Sequence, residues 1–304
     1  MQIRETYVPF RGYRTYCRVV EPDRPQSTAA GLPKPPLLLL HGGPGSSHNY
    51  LELLDPLADR DGRALVMYDQ LGCGLSWDPS MADHPELWRA KTWLEELEGV
   101  VRALDLDRFH LLGQSWGGML AIAYLCERRP RGVASVTLSS TTASARLWGA
   151  EGHRRLRYLS EAERRCILDA EARGDFSGRD FAAAIEHYME LFCIGPLTED
   201  DPECVRRPHA GGRVPYVVAW GDNELMPTGT LADFDYSARL GEVPCPALVI
   251  SGEEDLCTPL IAKQLADGIP DARWELFADC RHMCYYDDTP RYLALLEAWL
   301  NEKD

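Results

Sequence analysis

The stretch that most constrains what this chain can fold into is Leu111-Leu112-Gly113-Gln114-Ser115-Trp116-Gly117-Gly118. An apolar strand, Phe109 to Leu112, runs into Gly-x-Ser-x-Gly, and a helix-like run, Met119 to Glu127, follows at once. Strand, sharp turn and helix in that order are the context of a nucleophile elbow. Glycines two before and two after Ser115 let the backbone turn without Cβ clashes, so the hydroxyl stands proud of the sheet. The helix offers free N–H groups and the positive end of its dipole where an oxyanion would form. Ser115 is therefore a candidate nucleophile.

The flanking pattern sets the architecture. Tyr13 to Val20 reads as an edge hairpin strand after the turn Arg11-Gly12, and Pro22 to Pro36 as an exposed connection. Pro36-Leu37-Leu38-Leu39-Leu40 is a continuous apolar run, as expected of a strand buried on both faces of a parallel sheet, and it ends in His41-Gly42-Gly43-Pro44-Gly45. Ser47 to Leu57 reads as a helix, and Arg63 to Tyr68 as a strand leading into the glycine-rich turn Asp69 to Ser76. An amphipathic helix is expected over Pro85 to Leu104, and a strand over Val133 to Leu138. This alternation implies a parallel sheet with right-handed crossovers.

From Thr141 to Leu240 the rhythm changes to helices without strands. Ser160 with Glu163 makes a capping box for a helix closed by Gly174, and Asp180 to Cys193 presents one apolar face. Alternation resumes with a strand over Pro246 to Ser251, a helix over Pro259 to Gly268, a strand over Arg273 to Phe277 and a helix over Pro290 to Leu300. The expected organisation is a core of residues 1–140 and 241–304 with an inserted helical cap domain over 141–240.

A chain of 304 residues with 45% hydrophobic content can bury a large core. Its net charge of −15 disfavours nucleic acid and anionic membrane surfaces as partners. No apolar run approaches the roughly 18 residues of a membrane span, and the first residues lack the apolar core of a signal peptide. The ten cysteines occur singly, which fits reduced thiols in a cytoplasmic protein. Cys280 and Cys284 flank His282, but one such triplet is a poor metal site.

A serine hydroxyl needs a base to act as a nucleophile, and the base needs an orienting group. In the α/β-hydrolase layout these follow in the order Ser, acid, His. The strand ending at Ser251 opens into Gly252-Glu253-Glu254-Asp255, and the last strand into Asp279-Cys280-Arg281-His282. Ligands bind at the carboxyl ends of strands in open α/β sheets, so both loops should converge on Ser115. His282 is the only histidine after Asp255 and is the candidate base. Spacing favours Asp255 as the acid, with Glu254 the main rival. The oxyanion donors should be the N–H of Trp116, next after the nucleophile, and that of Gly43, since Pro44 has none. Asp69 and Gln70 read as structural groups that hold the loop.

With His41-Gly42-Gly43-Pro44-Gly45, Asp69-Gln70-x-Gly-x-Gly-x-Ser76, Gly113-Gln114-Ser115-Trp116-Gly117-Gly118 and the Asp255 and His282 loops in register, the chain closely resembles the proline iminopeptidase (prolyl aminopeptidase) family. That resemblance implies an α/β-hydrolase fold: a mostly parallel eight-stranded sheet, helices on both faces and an inserted helical cap. It implies Asp255 as the triad acid, with Gly43 and Trp116 as oxyanion donors. Members release an N-terminal residue, preferring proline, and bind its ammonium through acidic side chains. The segment Asn223-Glu224, followed by Thr228-Gly229 and Asp233-Phe234-Asp235, matches the cap segment that bears one such glutamate, which makes Glu224 the amine-binding candidate. Some members carry a second glutamate directly after the triad aspartate, where this chain has Leu256. The expected activity is a serine hydrolase acting on a small peptide or an aminoacyl amide or ester, with no metal or organic cofactor. An L-amino acid amidase or esterase is the nearest alternative, and a general esterase or lactonase a further one. Oligomeric state is not legible in the residues.

Overall fold

The computed structural model describes residues 1–304 and arranges the expected alternation as one eight-stranded sheet. Its strands are β1 (Gln2–Phe10), β2 (Tyr13–Glu21), β3 (Leu37–Leu40), β4 (Leu65–Tyr68), β5 (Phe109–Gln114), β6 (Val133–Ser139), β7 (Ala247–Gly252) and β8 (Ala272–Phe277). The spatial order is β1-β2-β4-β3-β5-β6-β7-β8. β1 and β2 form an antiparallel hairpin and β2 pairs antiparallel with β4, while every other pairing is parallel. Arg11 and Gly12 both take positive φ, the geometry of a two-residue hairpin turn matched to strand twist. The edge strand is thus β1, and Tyr13 onward lies one place further in than the alternation of that segment suggests.

The helices are α1 (Pro56–Asp61), α2 (Ala90–Ala103), α3 (Trp116–Arg128), α4 (Ala145–Arg155), α5 (Glu161–Arg173), α6 (Arg179–Phe192), α7 (Glu203–Arg206), α8 (Arg213–Ala219), α9 (Pro259–Gly268), α10 (Cys284–Asp287) and α11 (Thr289–Glu302). Between β6 and β7 the chain is helical and contributes no strand to the sheet. No helix is long and apolar enough to cross a membrane.

Alternate residues of the central strands feed two separate cores, as a pleated strand covered on both faces requires. Leu38, Leu40 and Leu111 join the larger one, with α2, α3 and the helices after β6. Leu37, Leu39 and Leu112 join the other, with α1 and α11. Two expected helices are interrupted. Over Ser47 to Leu57 the chain forms a 3₁₀ segment, Asn49–Leu54, and α1 restarts at Pro56, a residue suited to a first helical position but unable to donate an N–H. Over Pro85 to Leu104 a short 3₁₀ turn ends at Leu87, Arg89 is extended, and α2 begins at Ala90. The cause is Trp88, fully buried and tilted against Trp93 at 6.3 Å, which leaves the helix line to fill the core.

Candidate active site

The elbow takes the shape its glycines permit. Ser115 sits at φ 53°, ψ −123°, between the end of β5 and the start of α3. A non-glycine residue in that region is strained and is held there by its surroundings. A Cβ on Gly113 would lie 2.3 Å from the Gly117 carbonyl oxygen, and one on Gly117 only 2.1 Å from that of Leu40. The missing side chains therefore let α3 close onto the ends of β3 and β5. The Ser115 N–H donates to the Ser139 carbonyl at 2.9 Å, and the Thr141 hydroxyl donates to the Ser115 carbonyl at 2.6 Å.

The loops after β7 and β8 meet beside it. Asp255 is fully buried. Its Oδ1 accepts from His282 Nδ1 at 2.7 Å and from the Cys257 N–H at 2.8 Å, while Oδ2 accepts from the Gly252 N–H at 3.1 Å. Three donors satisfy a carboxylate that would otherwise be costly to bury. The rival Glu254 points outward, with a 56% exposed side chain 3.7 Å from Arg155. The carbonyl of Phe192, at the end of α6, accepts from both the Leu256 and His282 N–H groups at 3.2 and 3.0 Å, so one atom ties the two loops together. Trp148 meets the His282 ring edge-on at 5.7 Å. With Nδ1 committed to Asp255, Nε2 is the ring atom left for Ser115, and the two residues line one cavity.

Gln70 locks the third loop. Its N–H donates to His41 Nε2 at 2.9 Å, its side-chain amide donates to the His41 carbonyl at 2.8 Å, and its Oε1 accepts from Trp116 Nε1 at 2.8 Å. The loop after β3 is thereby fixed to the first residue of α3. Burial pushes His41 down to about 4, so the ring is neutral; its Nε2 accepts and its Nδ1 donates to the Gly42 carbonyl at 2.9 Å. Asp69 accepts from the His48 N–H and ring Nδ1 and from the Leu75 N–H, which closes the turn after β4. Both residues hold loops, as read from sequence. The Gly43 N–H has no backbone acceptor, and Trp116, first in its helix, has no preceding turn to bond.

The cavity at Ser115 measures about 370 Å³. Glu224 is the only carboxylate in its wall, and Leu256 lines it as an apolar residue. Trp148 Nε1 donates to Glu224 Oε1 at 2.9 Å and the Tyr216 hydroxyl to Oε2 at 2.6 Å. Burial raises the Glu224 carboxyl above its ordinary value, opposed by those two donors and by His282. Trp148 and Tyr216 belong to no motif, and their role emerges only when α4 and α8 bring them to Glu224 beside the Ser115 cavity. No group of three or more His, Cys, Asp or Glu side chains is placed to share a metal ion. His282 is turned to Asp255, and Cys284 Sγ donates instead to the Arg281 carbonyl at 3.2 Å.

This arrangement has close parallels. Residues 35–289 match the family model described as the alpha/beta hydrolase fold. The proline iminopeptidase of Clostridioides difficile (strain 630) is 49% identical over 304 residues, covering 100% of both chains. That of Levilactobacillus brevis is 50% identical over 304 residues, covering 100% of this chain and 98% of its own. Among solved structures, the proline iminopeptidase of Mycobacterium smegmatis superposes with a TM-score of 0.86 at 32% identity, covering 99% of this chain and 98% of that one. Near-half identity along the whole length, on a shared fold, places the chain in the proline iminopeptidase family of α/β-hydrolase enzymes.

Proposed function

We propose that this chain is a serine aminopeptidase that releases an N-terminal residue, proline by preference, from small peptides or aminoacyl amides through an acyl-enzyme. The observation that carries the reading is one cavity in which Ser115, the Asp255-bound His282 and a single carboxylate, Glu224, meet. The names of the full-length relatives support it.

In this mechanism Glu224 holds the substrate ammonium and sets the scissile carbonyl over Ser115. Ser115 Oγ attacks the carbonyl carbon while His282 Nε2 takes its proton, and Asp255 keeps the imidazole in the required tautomer and stabilises its charged form. The Gly43 and Trp116 N–H groups bind the oxyanion. Collapse breaks the C–N bond, and His282 hands its proton to the leaving nitrogen. Water, deprotonated by the same ring, then releases the amino acid. Residues 141–240, which supply Trp148, Tyr216 and Glu224, act as the cap over a core of 1–140 and 241–304. Ten cysteines without a disulfide support a cytoplasmic setting.

Acid quenching during turnover of prolyl p-nitroanilide should trap one prolyl group on Ser115, seen by intact mass and peptide mapping, and Ser115→Ala should lower kcat by ~10⁶-fold. A quenched enzyme without the adduct, together with near-normal turnover by the variant, refutes the mechanism. Leu256 gives the ammonium one carboxylate rather than two, which favours a second reading as an L-amino acid amidase. Prolinamide or alaninamide cleaved well ahead of prolyl peptides would support it.

A further inference from the structure

Two cavities meet at Ser115, and they differ in which reacting groups they contain. Ser115, Gly43 and Glu224 line both. His282 lines only the larger, while Trp116, Met119, Trp148 and Trp220 close the smaller. This division orients the substrate, on the aminopeptidase reading above. The ring that takes the Ser115 proton delivers it to the leaving nitrogen, so the leaving group departs on the His282 side. The acyl residue, with its ammonium at Glu224, lies on the opposite side of Ser115, towards Trp148 and Trp220; the smaller cavity there opens only about 10 Å³, so the prolyl ring shares the 370 Å³ cavity.

The leaving-group side has a distinct chemistry. No Lys or Arg lines it, and its one carboxylate, Glu224, is the group that holds the acyl residue's ammonium. Tyr50 stacks on Tyr285 with ring centroids 5.5 Å apart and 20° between planes, and Tyr285 in turn meets Tyr292 edge-on at 5.8 Å. The Tyr50 hydroxyl accepts from the Gly42 N–H at 2.6 Å and donates to Gln114 Oε1 at 2.8 Å. This aromatic wall is thus fixed before substrate arrives and loses little freedom on binding. Met189 and Met283 line the same cavity, and thioether side chains mould to varied apolar shapes. An acidic side chain placed there would lose water, meet no Lys or Arg and face Glu224.

We propose that Tyr50, Tyr285, Met189 and Met283 form a leaving-group subsite that selects substrates whose second residue is large and apolar, aromatic above all, and rejects an acidic one. Four amidated dipeptides, prolyl-Phe, prolyl-Leu, prolyl-Gly and prolyl-Glu amide, test this by kcat/KM for proline release. Phe should exceed Gly on the order of tenfold, with Leu between them and Glu below Gly. Met189→Ala and Tyr285→Leu should each lower the Phe-to-Gly ratio severalfold. Because both rates come from one preparation, a partly folded variant leaves that ratio unchanged. Equal kcat/KM across the four, or a ratio unmoved by both variants, overturns the subsite and leaves the aminopeptidase reading standing. Release of proline from none of them overturns both.

Discussion

Glu224 shows how single contacts set the chemistry of this site. Its carboxyl is raised by burial and pulled back by the Tyr216 and Trp148 donors. Only the anion holds an ammonium, so the recognition proposed for Glu224 should be lost as pH falls through that raised value. Tyr216→Phe removes one donor and should move the loss to higher pH. The measurement is kcat/KM against pH for prolyl p-nitroanilide, divided by the same profile for a simple acetate ester, which cancels the titration of the shared catalytic groups. A shift to lower pH would contradict the assignment. The convergence of Ser115 and His282 on one cavity was legible from motif and chain order, because each is the one residue of its type at the place the proposed mechanism requires. The acid was less so, since Glu253, Glu254 and Asp255 are adjacent and differ only in what they meet after folding. In the structure Asp255 is fully buried with three donors, which supports it as the proposed acid, whereas Glu254 stays in solvent. Tyr216 was not legible, because its partner Glu224 lies across a turn that sequence spacing does not define.

At the level of elements, the loops after β3 and β4 and the start of α3 act as one unit through Gln70. Gln70→Ala should leave the fold intact but let the Gly43 loop drift from Trp116, lowering kcat about tenfold to a hundredfold with a smaller change in KM. A change confined to KM would assign Gln70 to substrate binding instead. Elements whose own residues suffice were read closely: four leucines make β3, and Pro259 and Gly268 bound α9. Ser160 and Glu163 cap α5 as a reciprocal box, with Gly174 left-handed at its end. Elements decided by distant packing were not. Trp88 breaks the helix expected from Pro85 because its ring fills the core beside Trp93, and no local pattern announces that.

Across the whole molecule, a buried acid packed against the sheet has a cost that depends on pH. Glu96 in α2 accepts from the Thr15 hydroxyl and from the Leu71 N–H at 2.9 Å, and so ties β2 to the turn after β4. Burial, aided by Asp69, raises it from 4.5 to about 8. Between those values the folded chain binds a proton that the unfolded chain releases, so stability falls as pH rises, by up to about 1.4 kcal/mol per unit. Glu96→Gln should flatten that fall between about pH 4.5 and 8, read as Tm or urea midpoint at each pH. A variant whose Tm follows the wild-type curve would remove Glu96 as its source. Seven of the eight strands were readable from alternation, and the count of eight came from the family resemblance, but a glutamate on an amphipathic helix looks solvated until the helix is docked.

The most direct test of the whole reading joins Ser115 to the amine that Glu224 is held to receive. It is the ratio of kcat/KM for prolyl p-nitroanilide to that for N-acetylprolyl p-nitroanilide, in the wild type and in Glu224→Gln. Losing a partly buried charge pair costs ~3 kcal/mol, about 10²-fold. The wild-type ratio should be on the order of 10² or more and should fall towards one in the variant. A wild-type ratio near one would show that the enzyme does not recognise a free amine.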